Sequence, residues 1–229
     1  MHEQPQNLKP RTKAFALRVQ KGANGMDMAQ LLALAAALGW ASGLRLYAVV
    51  FMAGMAGWMG WLALPPGLAV LQHPALLIGS GFMLFVEFFA DKIPGLDSLW
   101  DVVHSVIRVP AGAALAAGVF GADSATMGVA AGLLGGSLAA TSFATKASTR
   151  AAVNTSPEPF SNIAVSLLED GLVVGAMWLA TQYPLIFGGV LTLVLIASIC
   201  LLIVLMKFFR ALLRRIRAWI GGPMAPGAN

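Results

Sequence analysis

Two adjacent carboxylates, Glu169 and Asp170, lie inside an otherwise apolar segment that runs from Ser161 to Gln182. A helix of this length is about what is needed to cross ~30 Å of hydrocarbon. A charge at the centre of such a helix costs about 3 kcal/mol on insertion scales, so carboxylates there usually face a protein interior and mark a site or pathway. We therefore predict a membrane protein with a polar interior, in which carboxylates carry protons or bind cations.

Basic residues that could neutralise this pair lie in one other apolar run and directly after another. Arg45 interrupts the first run, and Lys146 and Arg150, four residues apart, follow the fourth. Buried charges persist when they are paired and hydrogen-bonded. We therefore expect Arg45 or Lys146 to pair with Glu169 or Asp170.

The two carboxylates point about 100° apart on a helix, so they are not equivalent. Asp170 is the shorter acid, and Ser166, one turn earlier, could donate a hydrogen bond to it. From these two features we predict that Asp170 is the more buried, and that Asp170→Asn does more damage than Glu169→Gln.

A second group of polar residues surrounds the end of the second apolar run. Its members are Glu87 and Asp91, four residues apart, followed by Asp97, Asp101, His104 and Arg108 at spacings of four, three and four. The last four share one stripe of a helix. One interpretation is a short amphipathic helix near 97–107 that lies on the inner leaflet. In the other interpretation the polar stripe faces the protein interior and covers the ends of the second and fifth helices. Because hard oxygen ligands suit Mg²⁺, Ca²⁺ or Mn²⁺, a metal site at Glu87, Asp91, Asp97, Asp101 and His104 is chemically feasible.

The composition sets the class of protein. Of the 229 residues, 58% are hydrophobic and 11% are charged, against roughly 25% charged in soluble domains. The single cysteine, Cys200, excludes a disulfide framework. No nucleotide-binding or zinc-protease motif is present. We therefore expect an all-α membrane helix bundle without a cofactor. The net charge of +5 reflects basic residues at both ends of the chain, not a nucleic-acid footprint.

Hydropathy predicts about six transmembrane segments, at residues 28–64, 74–91, 110–120, 125–145, 161–182 and 185–206. The first is longer than one span needs, so we expect a bent or re-entrant piece near Gly39–Gly43. Each half of the chain holds a Gly-rich helix with a cation followed by a helix with acids. This order is compatible with an inverted repeat, a common plan in transporters.

The distribution of Lys and Arg predicts the orientation, because cytoplasmic connections are enriched in both. Fourteen of the fifteen basic residues fall on one side if both termini are cytoplasmic; the exception is Arg45. The predicted organisation is a basic tail at 1–26, a helix bundle at 27–207 and a second basic tail at 208–229. Tails of this kind favour anionic lipid head groups.

Small residues at helical spacing indicate close helix contacts. Gly128, Gly132 and Gly136 form one such stripe, and Gly171 with Gly175 form another. Tight packing within one subunit is the first interpretation, and a contact between two copies of the chain is the alternative.

Three stretches of the sequence carry a resemblance to a known family. They are ASGLR (41–45), FVEFFADKIPGLDSLWDVVHSVIRVPAGA (85–113) and NTSPEPFSNIAVSLLEDG (154–171). Together they resemble the bacterial integral-membrane family catalogued as domain of unknown function 4126, over roughly residues 28–182. The resemblance implies a multi-pass inner-membrane protein and brings no catalytic assignment.

Three functions remain open. The first is a transporter or channel for a small ion or solute, with Glu87, Asp91, Glu169 and Asp170 around a polar cavity and Arg45, Lys146 and Arg150 as counter-charges. The second is an enzyme acting on lipid head groups, in which Lys146, Arg150 and Arg108 hold phosphate and Asp101 or His104 acts as acid or base. The third is a structural or assembly protein. A cavity that reaches Glu169 and Asp170 would support the first two, and a dry interior with paired charges would support the third.

Overall fold

The bundle is built from membrane-length helices. The computed structural model describes residues 25–93, 95–121, 124–155 and 159–220, with the side chains of 159 and 217–220 excepted. Over these residues the secondary structure comprises six α-helices and one 3-10 helix, with no strand. The helices are α1 (Met28–Trp58), the 3-10 helix (Pro66–Gln72), α2 (Pro74–Ala90), α3 (Leu96–Phe120), α4 (Ala125–Val153), α5 (Pro159–Gln182) and α6 (Pro184–Ile220). The predicted all-α bundle is confirmed.

Five of these helices are long and apolar enough to cross a membrane. A sixth crossing is present if the 3-10 helix and α2, which meet at an angle of 69°, form one broken span. The 17 residues of α2 give a helix about 25 Å long, slightly short of the hydrocarbon core by itself. By length and composition the protein is a multi-pass membrane protein.

Helix α1 is the centre of the bundle and contacts every other helix. Its start is fixed by a capping box, in which Asp27 Oδ1 accepts from the Gln30 amide at 2.8 Å and Gln30 Oε1 accepts from the Asp27 amide at 2.9 Å. The only non-helical backbone inside α1 is at Arg45, with φ −144° and ψ 79°. The expected bend is therefore real, but it lies at Arg45 and not at Gly39–Gly43, and α1 is otherwise continuous.

The first stretch of α3 corrects another expectation. The short amphipathic helix expected near 97–107 does not exist as a separate element, because the same residues form the first half of α3. Its polar stripe is buried in the bundle and does not lie on a leaflet surface. The alternative, a stripe turned inward, is the observed arrangement.

Glycine positions decide how closely the helices approach. A Cβ added at Gly132 would lie 3.3 Å from the Ala117 Cβ, and one at Gly136 would lie 3.2 Å from the Ala113 Cβ, so this stripe of α4 packs on α3 within the chain. The expectation for Gly171 and Gly175 was wrong. Among the described residues no heavy atom comes within 4 Å of a Cβ added at either position.

These distances predict opposite outcomes for two Gly→Ala changes. At Gly39 in α1, a new Cβ would lie 2.5 Å from the Gly135 Cα and 2.8 Å from its carbonyl oxygen. Because backbone cannot move aside as a flexible side chain does, we expect Gly39→Ala to lower the free energy of unfolding by about 1–3 kcal/mol. The matched control, Gly171→Ala, should be neutral or stabilising by up to about 1 kcal/mol. Unfolding titrations in mixed detergent micelles would measure both, and equal losses would contradict the packing.

Candidate functional site

Eleven charged side chains gather where α1, α3, α4 and α5 meet the end of α2 and the turn that follows it. We call this set the charge network. Its carboxylates are Glu87, Asp91, Asp97, Asp101, Glu169 and Asp170, and its cations are Arg45, Lys92, Arg108, Lys146 and Arg150. Nine members are at most 5% exposed. Only Lys92 and Asp170 are more open, with side-chain exposures of 19% and 27%.

Lys146 of α4 occupies the middle of the network. Its Nζ lies 2.9 Å from Asp91 Oδ2, 3.3 Å from Asp101 Oδ1 and 3.5 Å from Glu169 Oε2. It also donates to the Leu44 carbonyl at 3.1 Å. One ammonium thus links four other parts of the chain through four oxygens.

Arg45 lies at the interruption of α1, immediately after Leu44. Its guanidinium pairs with Asp91 at 2.9 Å and Asp170 at 3.1 Å and donates to Ser166 Oγ at 2.8 Å. Irregular backbone at membrane depth is tolerated where it is buried in protein and its polar groups find partners. At the break in α1 the charge network supplies these partners. Lys146 donates to the Leu44 carbonyl, and Asp91 and Asp170 pair with the Arg45 side chain.

Arg150 joins α4 to α5. It makes a two-pronged contact with Glu169, from Nε at 3.3 Å and from Nη2 at 2.9 Å. Its Nη1 donates to the Asp91 carbonyl at 2.7 Å and to the Asn162 side-chain oxygen. Paired N–H donors on one carboxylate are the strongest geometry for such an ion pair.

The polar stripe of α3 contributes Asp97, Asp101 and Arg108 to the network. Arg108 bridges two carboxylates, donating to Glu87 Oε1 at 2.7 Å and to Asp101 Oδ1 at 2.8 Å. Asp97, near the start of α3, accepts from the backbone amides of Gly95 at 2.8 Å and Ser98 at 2.7 Å, and from Asn154 at 3.0 Å.

His104 lies beside the network without an ion pair in the part of the chain that the structure describes. Its Nδ1 is 2.8 Å from the Trp100 carbonyl. Because a carbonyl can only accept, Nδ1 carries the hydrogen. The ring stacks on Trp100 at a centroid distance of 4.0 Å and meets the edge of Tyr47 at 5.6 Å.

Two charged groups in the turn after α2 have shifted pKa values. Burial by itself would raise the pKa of Asp91, but Lys146 and Arg45 outweigh it and hold that pKa below its usual value. Burial lowers the pKa of Lys92, although the nearby Asp170 opposes the shift. Asp91 is therefore ionised at neutral pH.

Comparison with known proteins gives one match. The family model described as Domain of unknown function (DUF4126) matches residues 32–204, which is most of the chain. The chain belongs to this family. No curated protein and no solved structure matches it.

The structure of this DUF4126 protein brings together every sequence-predicted site residue except His104. The expected pairing is confirmed, because Arg45 pairs with Asp170 and Lys146 with Glu169. Sequence reasoning left Lys92 and Arg108 off the primary site and missed the Leu44 carbonyl entirely. The helical spacing that placed Arg108 on the polar stripe of α3 was the available signal for that residue, whereas nothing in the sequence marks a carbonyl freed by a helix break.

The feasible metal site is not supported. Among the described residues, no three His, Cys, Asp or Glu side chains converge as metal ligands. The carboxylates of the DUF4126 network pair with basic side chains instead.

The expectation that Asp170 is the more buried acid was wrong. The Glu169 side chain is 6% exposed and the Asp170 side chain 27%. The Ser166 hydroxyl, which was expected to donate to Asp170, accepts a hydrogen bond from Arg45 at 2.8 Å.

Apolar crevices lie beside the network in this DUF4126 chain. One of about 340 Å³, between α1, α5 and α6, is lined by residues that include Trp40, Gly175 and Phe187. Another of about 420 Å³, between α1 and α5, includes Phe51 and Trp178. Neither is lined by a member of the charge network.

Proposed function

We propose that this protein is a membrane transporter for a small ion or solute, with the charge network as its coupling site. The observation that carries the proposal is the break in α1 at Arg45, where the side chain is held by acids from the α2 turn and α5. Discontinuous helices at membrane depth form the substrate and ion sites of many secondary transporters.

The energetics of the network support a function beyond folding. Replacing a buried ion pair by well-packed apolar residues is often neutral or stabilising, so a buried pair is weak evidence for a purely structural role. Ionisable residues inside membrane helices are by default functional-site candidates. In a network of shared partners, a proton or cation that neutralises one carboxylate releases the basic side chain that was paired with it. That basic side chain then pairs with a different carboxylate, and the helices that carry the two groups move.

We also propose that both ends of the chain face the cytoplasm of a bacterial cell. Lys207, Arg210, Arg214 and Arg215 are exposed near the end of α6 and favour anionic head groups by ~1 kcal/mol each. The buried cations Arg108, Lys146 and Arg150 belong to the network, so they no longer support this orientation as loop charges. The proposed orientation therefore rests on the basic residues at the two ends of the chain. Residues 1–24 and the side chains of 217–229 are outside the part that the structure describes.

A structural or assembly function is the second candidate, because a specific observation favours it. The crevices described above do not reach Glu169 or Asp170, and the buried cations of the network are paired. The lipid-enzyme hypothesis has less support. The cations assigned to phosphate, namely Arg108, Lys146 and Arg150, are at most 2% exposed and are all bound to carboxylates.

Thiol labelling separates the two candidates without knowledge of the cargo. In a Cys200→Ser background, Ser166→Cys places a thiol at a position that is 0% exposed and in contact with Arg45. Val173→Cys is the matched control, because Val173 lies two turns later on α5, is 1% exposed and belongs to the apolar core.

A transporter must open the network to water during its cycle. We therefore expect a membrane-impermeant maleimide, applied to inside-out vesicles, to label the Ser166→Cys variant at least about tenfold faster than the Val173→Cys variant, the factor of ten corresponding to about 1.4 kcal/mol. Equal, slow labelling of both variants from either side of the membrane would reject transport and leave the structural role.

A further inference from the structure

The charge network contains one more carboxylate than it has cations. Six acids face five basic groups, and nine of the eleven side chains are almost fully buried. An uncompensated charge in a buried site is costly, and the group usually becomes neutral instead. A proton on one carboxylate would remove the excess.

Partner geometry differs sharply among the six acids. Asp91, Asp101 and Glu169 each lie within 3.5 Å of two cations. Asp97 accepts from two backbone amides and from Asn154. Asp170 pairs with Arg45, and its side chain is partly exposed.

Glu87 has the fewest partners of the six. It is 0% exposed, and its single ion pair among the described residues joins Oε1 to Arg108 at 2.7 Å. Its Oε2 is buried without a hydrogen-bond partner among the described residues, and the same is true of one oxygen each of Asp91, Asp101 and Asp170. Glu87 differs from Asp91 and Asp101 because its other oxygen meets one cation and theirs meets two. It differs from Asp170 because it is fully buried. Arg108 is itself shared, because Asp101 also accepts from it at 2.8 Å. An ionised Glu87 would place a full charge in a buried site with one cation that is already shared, whereas protonation at Oε2 makes the side chain neutral and lowers the cost of its burial.

Charged groups surround Glu87 from three other helices and from the turn after α2. The charged groups that act on it are Arg108 of α3, Lys146 of α4, Arg45 of α1 and Asp91 on its own side, and it acts in turn on the Tyr47 phenol of α1. Of these, only Arg108 touches it as an ion pair. His104 makes no ion pair in the described chain.

We propose that Glu87 is the proton-binding site of the network: in the resting protein Oε2 carries a proton, and Oε1 accepts from Arg108. Loss of that proton leaves Glu87 and Asp101 competing for Arg108, and this competition is the event that couples the proton to helix movement. The coupling role rests on the proposed transport function, but the protonated resting state does not.

Infrared spectroscopy of the purified protein in lipid tests the protonated state directly. At neutral pH we expect the C=O stretching band of a protonated carboxylic acid, shifted by exchange into D₂O. The band should disappear in Glu87→Gln and persist in Asp170→Asn, a matched acid-to-amide change elsewhere in the network. Because glutamine has nearly the shape of a protonated glutamic acid, Glu87→Gln should also fold with a melting temperature close to that of the unaltered protein.

A missing band in the unaltered protein, or an unchanged band in Glu87→Gln, would overturn the inference. So would a Glu87→Gln protein that fails to fold, since a neutral isostere would then not replace the native group. This result is independent of the thiol-labelling experiment. A Glu87 band with no opening at Ser166 would remove transport and keep the proton site, and the reverse pattern would keep transport and remove the proton site.

Discussion

Replacement of Lys146 by methionine should lower the free energy of unfolding by about 3–5 kcal/mol, the cost of removing one partner from a buried ion pair. The ammonium is 2% exposed and contacts Asp91, Asp101 and Glu169. Methionine fills similar volume, so the loss comes from three carboxylates that keep their charge without their shared partner. Unfolding in mixed micelles of mild and denaturing detergent would measure the change.

Lys92→Met is the matched control for this experiment. Lys92 is also a lysine of the network, but its side chain is 19% exposed and its nearest carboxylate, Asp170, is 4.0 Å away. Pairs of this kind contribute about 0–1 kcal/mol. If Lys92→Met costs as much as Lys146→Met, then burial and partner number do not determine stability here, and the network has been assigned the wrong centre.

The two neighbouring acids of α5 should respond unequally to conversion into amides. Glu169 accepts two hydrogen bonds from Arg150 and lies 3.5 Å from Lys146, so Glu169→Gln should cost about 3 kcal/mol by leaving these cations undercompensated. Asp170 is partly exposed and pairs mainly with Arg45, so Asp170→Asn should cost about 1 kcal/mol or less.

Thermal unfolding of the two single variants in the same detergent decides the order. The comparison is well controlled, because both substitutions replace a carboxylate by its amide at adjacent positions of one helix. A larger loss for Asp170→Asn would restore the ranking that side-chain length alone suggested and would contradict the observed rotation of α5.

The sequence could not predict which of Glu169 and Asp170 is the more buried. Glu169 and Asp170 point about 100° apart, so one of them must face the core, but the choice depends on how α5 is rotated against α1. That rotation is fixed by contacts such as Val173, which is 1% exposed and packs in the apolar core. A single helix read in isolation carries no information on its neighbours.

The stripe of α3 shows the same limit. The spacing of Asp97, Asp101, His104 and Arg108 determined that they share a face. It did not determine whether lipid head groups or other helices cover that face. The cover is supplied by Glu87, Lys146 and Asn154, residues that lie up to 57 positions away in the chain.

By itself, the sequence determined the helical class, the approximate membrane segments and the need for cations near Glu169 and Asp170. These follow from the free energy of transfer of each segment and of each charge into an apolar medium, which is a local property of the chain. The tertiary structure alone decided which cation meets which acid, where α1 breaks, and that Glu87 pairs with one cation within the described part of the chain. Those outcomes depend on angstrom-scale distances between helices, and such distances are set only when the whole bundle packs.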